Sequence, residues 1–129
     1  MTTLPRAVLT MALPEAAMAR LAEGCDLINC VGQPRAAVIA QMTEAEGILC
    51  PAPYPIDNEL LDAAPRLRVV ANFGVGYNNV DFAELNRRGI VCCNTPGVLN
   101  DAVADLTLGL ILAAAHHFPA NVSYALGGG

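Results

Sequence analysis

The stretch Val69-Val70-Ala71-Asn72-Phe73-Gly74-Val75-Gly76-Tyr77-Asn78-Asn79-Val80-Asp81 runs a short apolar segment into a glycine turn and then into a helix start. An apolar run of this length, closed by glycine, reads as a buried strand. Asp81 with Glu84 three residues on has the spacing of a capping box, and Val80 and Leu85 flank it as a hydrophobic staple. Arg87 and Arg88 complement the end of that helix, and Gly89 closes it. Ile90 to Cys93 is then the next strand.

The same unit recurs on both sides. Upstream, Ala7 to Thr10, Asp26 to Asn29 and Gly47 to Cys50 read as strands, with helices over Pro14 to Glu23 and Pro34 to Thr43. Asp57 has the position of an N-cap, with Ile56 and Leu61 as its staple. Downstream, a turn at Pro96-Gly97 precedes one long helix from about Asp101 to His117. Apolar strands alternating with helices predict an α/β domain whose parallel sheet is covered on both faces. The expected architecture is a flavodoxin-like, three-layer fold, with a five-stranded sheet in the order 2-1-3-4-5 and a single domain across residues 1–129.

Composition narrows the function. The chain has 129 residues, 54% hydrophobic and 15% charged, which is enough for a full core. The net charge of −5 leaves no basic surface for nucleic acid or an anionic membrane. All seven basic residues are arginine, so chemistry that needs a lysine, from Schiff bases to receiver-type phosphotransfer, is excluded. Met11-Ala12-Leu13-Pro14 lacks the small polar residues that would hold a flavin phosphate. The first residues, Met1-Thr2-Thr3-Leu4-Pro5-Arg6, do not read as a secretory signal. The apolar run Ala102 to Ala115 carries Asp105 and is too short to span a bilayer. Five cysteines form no CxxC pair and stand apart from His116 and His117, so no metal site is expected. They read as small hydrophobes in a cytoplasmic protein.

Gly74-Val75-Gly76 leaves three readings open. As a dinucleotide fingerprint it is poor, because Asn79 stands at the third glycine position and the strand ending at Cys93-Asn94 offers no acid for a ribose. The simplest reading is a turn that needs glycine for positive φ. The third is an anion nest, in which the N–H groups of Val75 and Gly76 face a carboxylate. His116 and His117 are candidates for an acid–base pair, but at a helix C-terminus they read first as complements to the helix dipole. Asp101 and Asp105 read as helix-start carboxylates. Leu106, Leu108, Leu110, Ile111 and Leu112 point all round the last helix, so that helix is expected to meet a neighbour: another domain, or a second copy in a homodimer.

The opening stretch, taken with Arg88-Gly89-Ile90-Val91, Asn94-Thr95-Pro96-Gly97-Val98-Leu99 and Asp101-Ala102-Val103-Ala104-Asp105-Leu106, resembles the substrate-binding domain of the NAD(P)-dependent D-2-hydroxyacid dehydrogenases. The likeness is nearest to glyoxylate/hydroxypyruvate reductases and is strongest over residues 66 to 117. It implies a substrate domain joined to a Rossmann coenzyme domain, with the active site between them. It implies that the backbone of Val75 and Gly76 holds the carboxylate of a small 2-oxo or 2-hydroxy acid, and that Tyr54 lies near the substrate side chain. Val103 and Asn78 would border the nicotinamide of NAD or NADP, Asn78 standing where the family often has Asp. The family's catalytic arginine, histidine and acid belong to the coenzyme domain, so the resemblance implies no catalytic residue in this chain. It also implies little activity and no tight coenzyme binding by the chain alone. The alternative is a self-sufficient flavodoxin-like module that binds a small carboxylate or a protein without catalysis.

Overall fold

A computed structural model describes residues 4–128; Met1 to Thr3 of the signal reading and Gly129 of the terminal glycine run lie outside them. The chain divides into two compact units, Met1–Pro96 and Gly97–Gly129. The first contains β1 (Arg6–Leu9), α1 (Glu15–Ala22), β2 (Asp26–Asn29), α2 (Arg35–Gln41), β3 (Gly47–Pro51), α3 (Asn58–Asp62), β4 (Val69–Phe73), α4 (Phe82–Arg88) and β5 (Val91–Cys93). The strands form one sheet, ordered β2-β1-β3-β4-β5 and parallel at every pairing. The expected order and fold class are therefore those of the protein.

The direction of winding reverses after β2. Right-handed crossovers then place α1 on one face of the sheet and α2, α3 and α4 on the other. Burial agrees with this division. Val38 of α2, Leu60 and Leu61 of α3 and Leu85 of α4 are buried with Val8, Ile48, Cys50, Ile56 and Val70, whereas α1 buries no residue. Each of these large aliphatic side chains contributes roughly 1.5–3 kcal/mol of burial. On the other face of the last two strands, Val69 and Val91 stay exposed, so both-face cover is incomplete there among the described residues.

Local signals explain the helix ends. The Asp57 carboxylate accepts from the Leu60 N–H at 3.2 Å, and the Asp81 carboxylate accepts from the Glu84 N–H at 3.0 Å. The reciprocal half of the second capping box does not form. Glu84 instead bonds Arg87 and Arg88, and the Asp81 N–H donates to the Ile56 carbonyl at 3.2 Å. Two guanidinium groups outcompete one backbone amide for the carboxylate, and they hold it well below the usual range, at about 2. Gly89 adopts the left-handed conformation at φ 69°, as its place after α4 requires.

The second unit holds the expected long helix and a further one after it that the sequence reading did not include. α5 covers Asn100–Ala115, and a separate α6 covers Phe118–Leu126, bent 62° from it. His117 sits between them at φ 49°, and Pro119 lies in the first turn of α6. A left-handed residue ends the first helix, and a proline suits the start of the second. His116 caps α5, and its carbonyl accepts from the Asn121 side chain at 2.8 Å. The apolar residues of α5 are exposed, Leu106 at 63% and Leu112 at 60%. No single helix among the described residues is long and apolar enough to cross a membrane.

Candidate functional site

β3, β4 and β5 end at the same side of the sheet, and the loops that leave them are tied together. Ile56 and Val80 form a parallel bridge: the Ile56 N–H donates to the Asn79 carbonyl at 2.8 Å. Gly74 belongs to this junction. A Cβ added there would lie 2.6 Å from the Cβ of Ala52, a separation that real atoms do not reach, so the loops approach this closely only with glycine at position 74. Positive φ is not the reason for either glycine of the turn. Among the described residues only Gly32, Gly89, Gly97 and Gly128 are glycines with positive φ. The turn reading by conformation is therefore corrected to one by proximity, and the loop lacks the left-handed residue of an alternating nest.

Gly76 differs. A side chain there would meet nothing within 4 Å, so neither packing nor φ accounts for the glycine. What remains is open approach to the backbone itself. All three carbonyls of the turn are pinned from within. The Asn94 amide donates to the Val75 carbonyl at 2.9 Å, the Asn72 amide to the Gly76 carbonyl at 2.8 Å, and the Thr95 N–H to the Gly74 carbonyl at 3.0 Å. Among the described residues, no acceptor meets the N–H of Val75 or of Gly76. Two adjacent donors on a restrained loop, both exposed, make an anion-binding edge. A hollow of about 160 Å³ beside it is lined by Asn72, Phe73, Cys93, Asn94 and Thr95.

Asn72 is 2% exposed and is the one buried polar residue among those described. Its Oδ1 accepts from the Asn79 Nδ2 at 3.1 Å, and Asn79 Nδ2 also donates to the Tyr54 carbonyl at 2.8 Å. Tyr54 thus joins the site through its main chain. Its ring packs on the core under the Arg35 guanidinium, 5.6 Å from the ring centre, and its hydroxyl is buried without a partner. Burial raises the phenol, and Arg35 opposes the rise. Arg35 also holds Asp57 at 2.5 Å, Glu59 at 3.1 Å and the Pro55 carbonyl at 3.0 Å, which fixes the loop that carries Tyr54. Asn78 is exposed beside the turn. Val103 lies in the second unit, on α5, and is 57% exposed.

Other features carry less chemistry. Burial pushes Cys50 up to about 12, with Cys92 adding to it, and burial also raises Cys30 and Cys92. Cys30 and Cys50 are buried as expected, Cys25 and Cys92 are half-buried, and Cys93 is exposed, because β5 ends the sheet there. Among the described residues there is no cluster of three or more metal-ligating side chains. The largest hollow, about 810 Å³, lies at the opposite ends of the strands, between Arg6, Asp26, Glu44, Glu46 and Arg66. Those charges already pair: Arg6 with Asp26, and Arg66 with Glu44 and Glu46. The dinucleotide-fingerprint reading fails on geometry. α4 begins at Phe82, well after Gly76, and spans only seven residues, so the glycines do not open a helix toward a pyrophosphate.

Sequence reasoning missed the asparagines. Asn72 reads as part of the strand before the turn, Asn79 stands at the third glycine position and Asn94 at the end of the next strand, and nothing local in their spacing marks them as partners.

Known proteins share this sequence pattern and fold. Residues 7–125 match the family model of the D-isomer specific 2-hydroxyacid dehydrogenase catalytic domain. The glyoxylate reductase of Thermococcus kodakarensis is 40% identical over 114 residues, covering 86% of this chain and 34% of that protein. The glyoxylate/hydroxypyruvate reductase B of Erwinia tasmaniensis is also 40% identical over 114 residues, covering 86% and 35%. In structure, the NADPH-dependent glyoxylate/hydroxypyruvate reductase of Sinorhizobium meliloti, solved with NADP and malonate, aligns with a TM-score of 0.70 at 37% identity. It covers 86% of this chain and 34% of that one. A 2-hydroxyacid dehydrogenase from Ketogulonicigenium vulgare aligns with a TM-score of 0.78 at 28% identity, covering 98% and 41%. The chain spans about a third of the length of the curated relatives it matches.

Proposed function

The chain belongs to the D-isomer specific 2-hydroxyacid dehydrogenase family, and from that premise we propose that residues 1–129 are its substrate-binding side, which holds the carboxylate of a small 2-oxo or 2-hydroxy acid such as glyoxylate or hydroxypyruvate. The observation that carries this is the turn at Val75 and Gly76. Two N–H groups lack acceptors, their carbonyls are pinned inward, and a glycine stands where only an approaching ligand gives it a reason. Donors already in place need little reorganisation when the acid arrives, and that orients its carbonyl for reaction. By the family resemblance, Tyr54 would serve the substrate side chain, and Asn78 and Val103 would border the nicotinamide.

The coenzyme, NAD or NADP, would supply the hydride. The side chains bonded to the turn are the amides of Asn72 and Asn94, which hold shape and do not exchange protons near neutral pH. The family resemblance assigns proton transfer and coenzyme binding to a coenzyme domain. His116 and His117, in the second unit, have no assigned role in the reaction. The exposed apolar residues of α5 would meet that domain or a second copy of the chain.

The test is turnover and coenzyme titration with the 129-residue chain itself. Nicotinamide absorbance should stay constant with glyoxylate and either NADH or NADPH, and neither coenzyme should bind tightly. Measurable reduction of glyoxylate, or tight binding of NAD(H), contradicts this division of labour.

A further inference from the structure

We infer that Asn72, Asn79 and Asn94 form an amide clamp that aims the Gly76 N–H and holds the turn from which the Val75 N–H also projects, the Gly74 carbonyl on the far side of Val75 being held by the Thr95 N–H; this makes them positioning residues for carboxylate recognition and rests on the reading of Val75 and Gly76 as the carboxylate site. A peptide carbonyl and the N–H of the following residue share one plane and point in opposite directions. Pinning the Val75 carbonyl therefore aims the Gly76 N–H. Asn94 supplies that pin at 2.9 Å, from the end of β5. The Gly76 carbonyl, held by Asn72 at 2.8 Å, fixes the other side of the same residue. Between them the two amides immobilise the segment from which the donors project.

The orientations of the Asn72 and Asn79 amides are set by their partners. Asn79 Nδ2 has two hydrogens and donates both, to the Tyr54 carbonyl at 2.8 Å and to Asn72 Oδ1 at 3.1 Å. Asn72 thus has its oxygen engaged and can present only its nitrogen to Gly76. A half-turn of the Asn72 amide would set oxygen against the Gly76 carbonyl and nitrogen against the Asn79 amide, losing both bonds in a site where water does not compete. The chain of constraint runs from the loop after β3, through two asparagines, to the turn after β4. It gives a reason for an asparagine buried in an otherwise apolar core, which costs stability unless each polar atom is satisfied. It also explains why the turn keeps its shape without a left-handed residue.

The experiment is a glyoxylate titration followed by backbone amide NMR, run on the wild-type chain and on Asn94→Ala and Asn72→Leu, with melting curves for all three. Asn94 is only half-buried, so Asn94→Ala removes one pin and leaves the core intact. Val75 and Gly76 signals should shift on titration of the wild type. Asn94→Ala should weaken the fitted affinity roughly five- to tenfold, since one positioning hydrogen bond is lost. Its melting temperature should stay unchanged, and its Val75 and Gly76 signals should move even without ligand. Asn72→Leu should weaken binding further and also melt earlier. Wild-type affinity and unmoved loop signals in Asn94→Ala overturn the clamp while the carboxylate reading stands. Unresponsive Val75 and Gly76 signals in the wild type overturn that reading, and the inference with it.

Discussion

The two ends of the sheet are built on opposite principles. Where the strands begin, Arg6, Arg66 and Arg68 face Asp26, Glu44 and Glu46, and every one of these charges has a partner. In the turn after β4, at the other end, the carbonyls are held by neutral amides, and the backbone donors, those of Val75 and Gly76 among them, have no acceptor among the described residues. The larger hollow lies at the saturated end and the smaller at the unsaturated one. Size alone therefore points away from the proposed site. Unspent hydrogen-bonding capacity on a restrained frame is the better guide, and it agrees with the general placement of ligands outside the carboxyl ends of parallel strands.

The contrast breaks most readily at Gly74. Gly74→Val must push Ala52 away, and overpacking of this kind costs about 1–3 kcal/mol. Urea unfolding should show a lower midpoint; an unchanged midpoint would mean that the loops after β3 and β4 do not need their close approach. Gly76→Ala has open space around it, so its stability should stay within about 0.5 kcal/mol of wild type. Its glyoxylate affinity should nonetheless fall, because the added methyl group crowds an incoming carboxylate. Equal affinity in the two proteins would remove the reason given for that glycine.

A smaller effect is expected at Glu84. Its carboxyl is held near 2 in the folded chain against an ordinary value of 4.5, by Arg87 and then Arg88. The folded pKa is depressed, so the stabilisation is present above about pH 4.5 and is lost as pH falls toward 2. Glu84→Gln should flatten that part of a melting-temperature profile and leave carboxylate binding alone. An unchanged acid limb would show that the two arginines do not hold the carboxylate in solution. Smallest of all is Arg6→Ala at the opposite end, an exposed ion pair worth about 0–1 kcal/mol. It should alter neither stability beyond that range nor glyoxylate affinity, and a large loss of affinity would move the site to that end.

Much of this was legible in the residues themselves. Asp57 and Asp81 announce their helices because capping is a short-range matter of one side chain and one amide three residues away. Gly89 is legible for the same reason. The clamp was not, because Asn79 meets Tyr54 across twenty-five residues and Asn94 meets Val75 across nineteen, and asparagine in a loop carries no mark of its distant partner. The half-formed capping box was hidden by rivalry, since the pattern of Asp81 and Glu84 does not say that two arginines will win the carboxylate. The end of α5 near His117 was legible, but α6 was not: its start depends on His117 in a left-handed conformation, which helix propensity does not reveal. Of the readings left open for the glycine pair, the positive-φ turn fails, and the proximity to Ala52 that requires Gly74 is a tertiary fact.

The central claim is that the carboxylate of a small acid lands on the N–H groups of Val75 and Gly76. The most direct measurement is a residue-resolved amide NMR titration of the wild-type chain with glyoxylate. The account predicts saturable shifts centred on Val75 and Gly76, spreading to Tyr77 and Asn94, with Arg6, Glu46 and Arg66 unmoved. Shifts centred on those three residues, with Val75 and Gly76 silent, would contradict it.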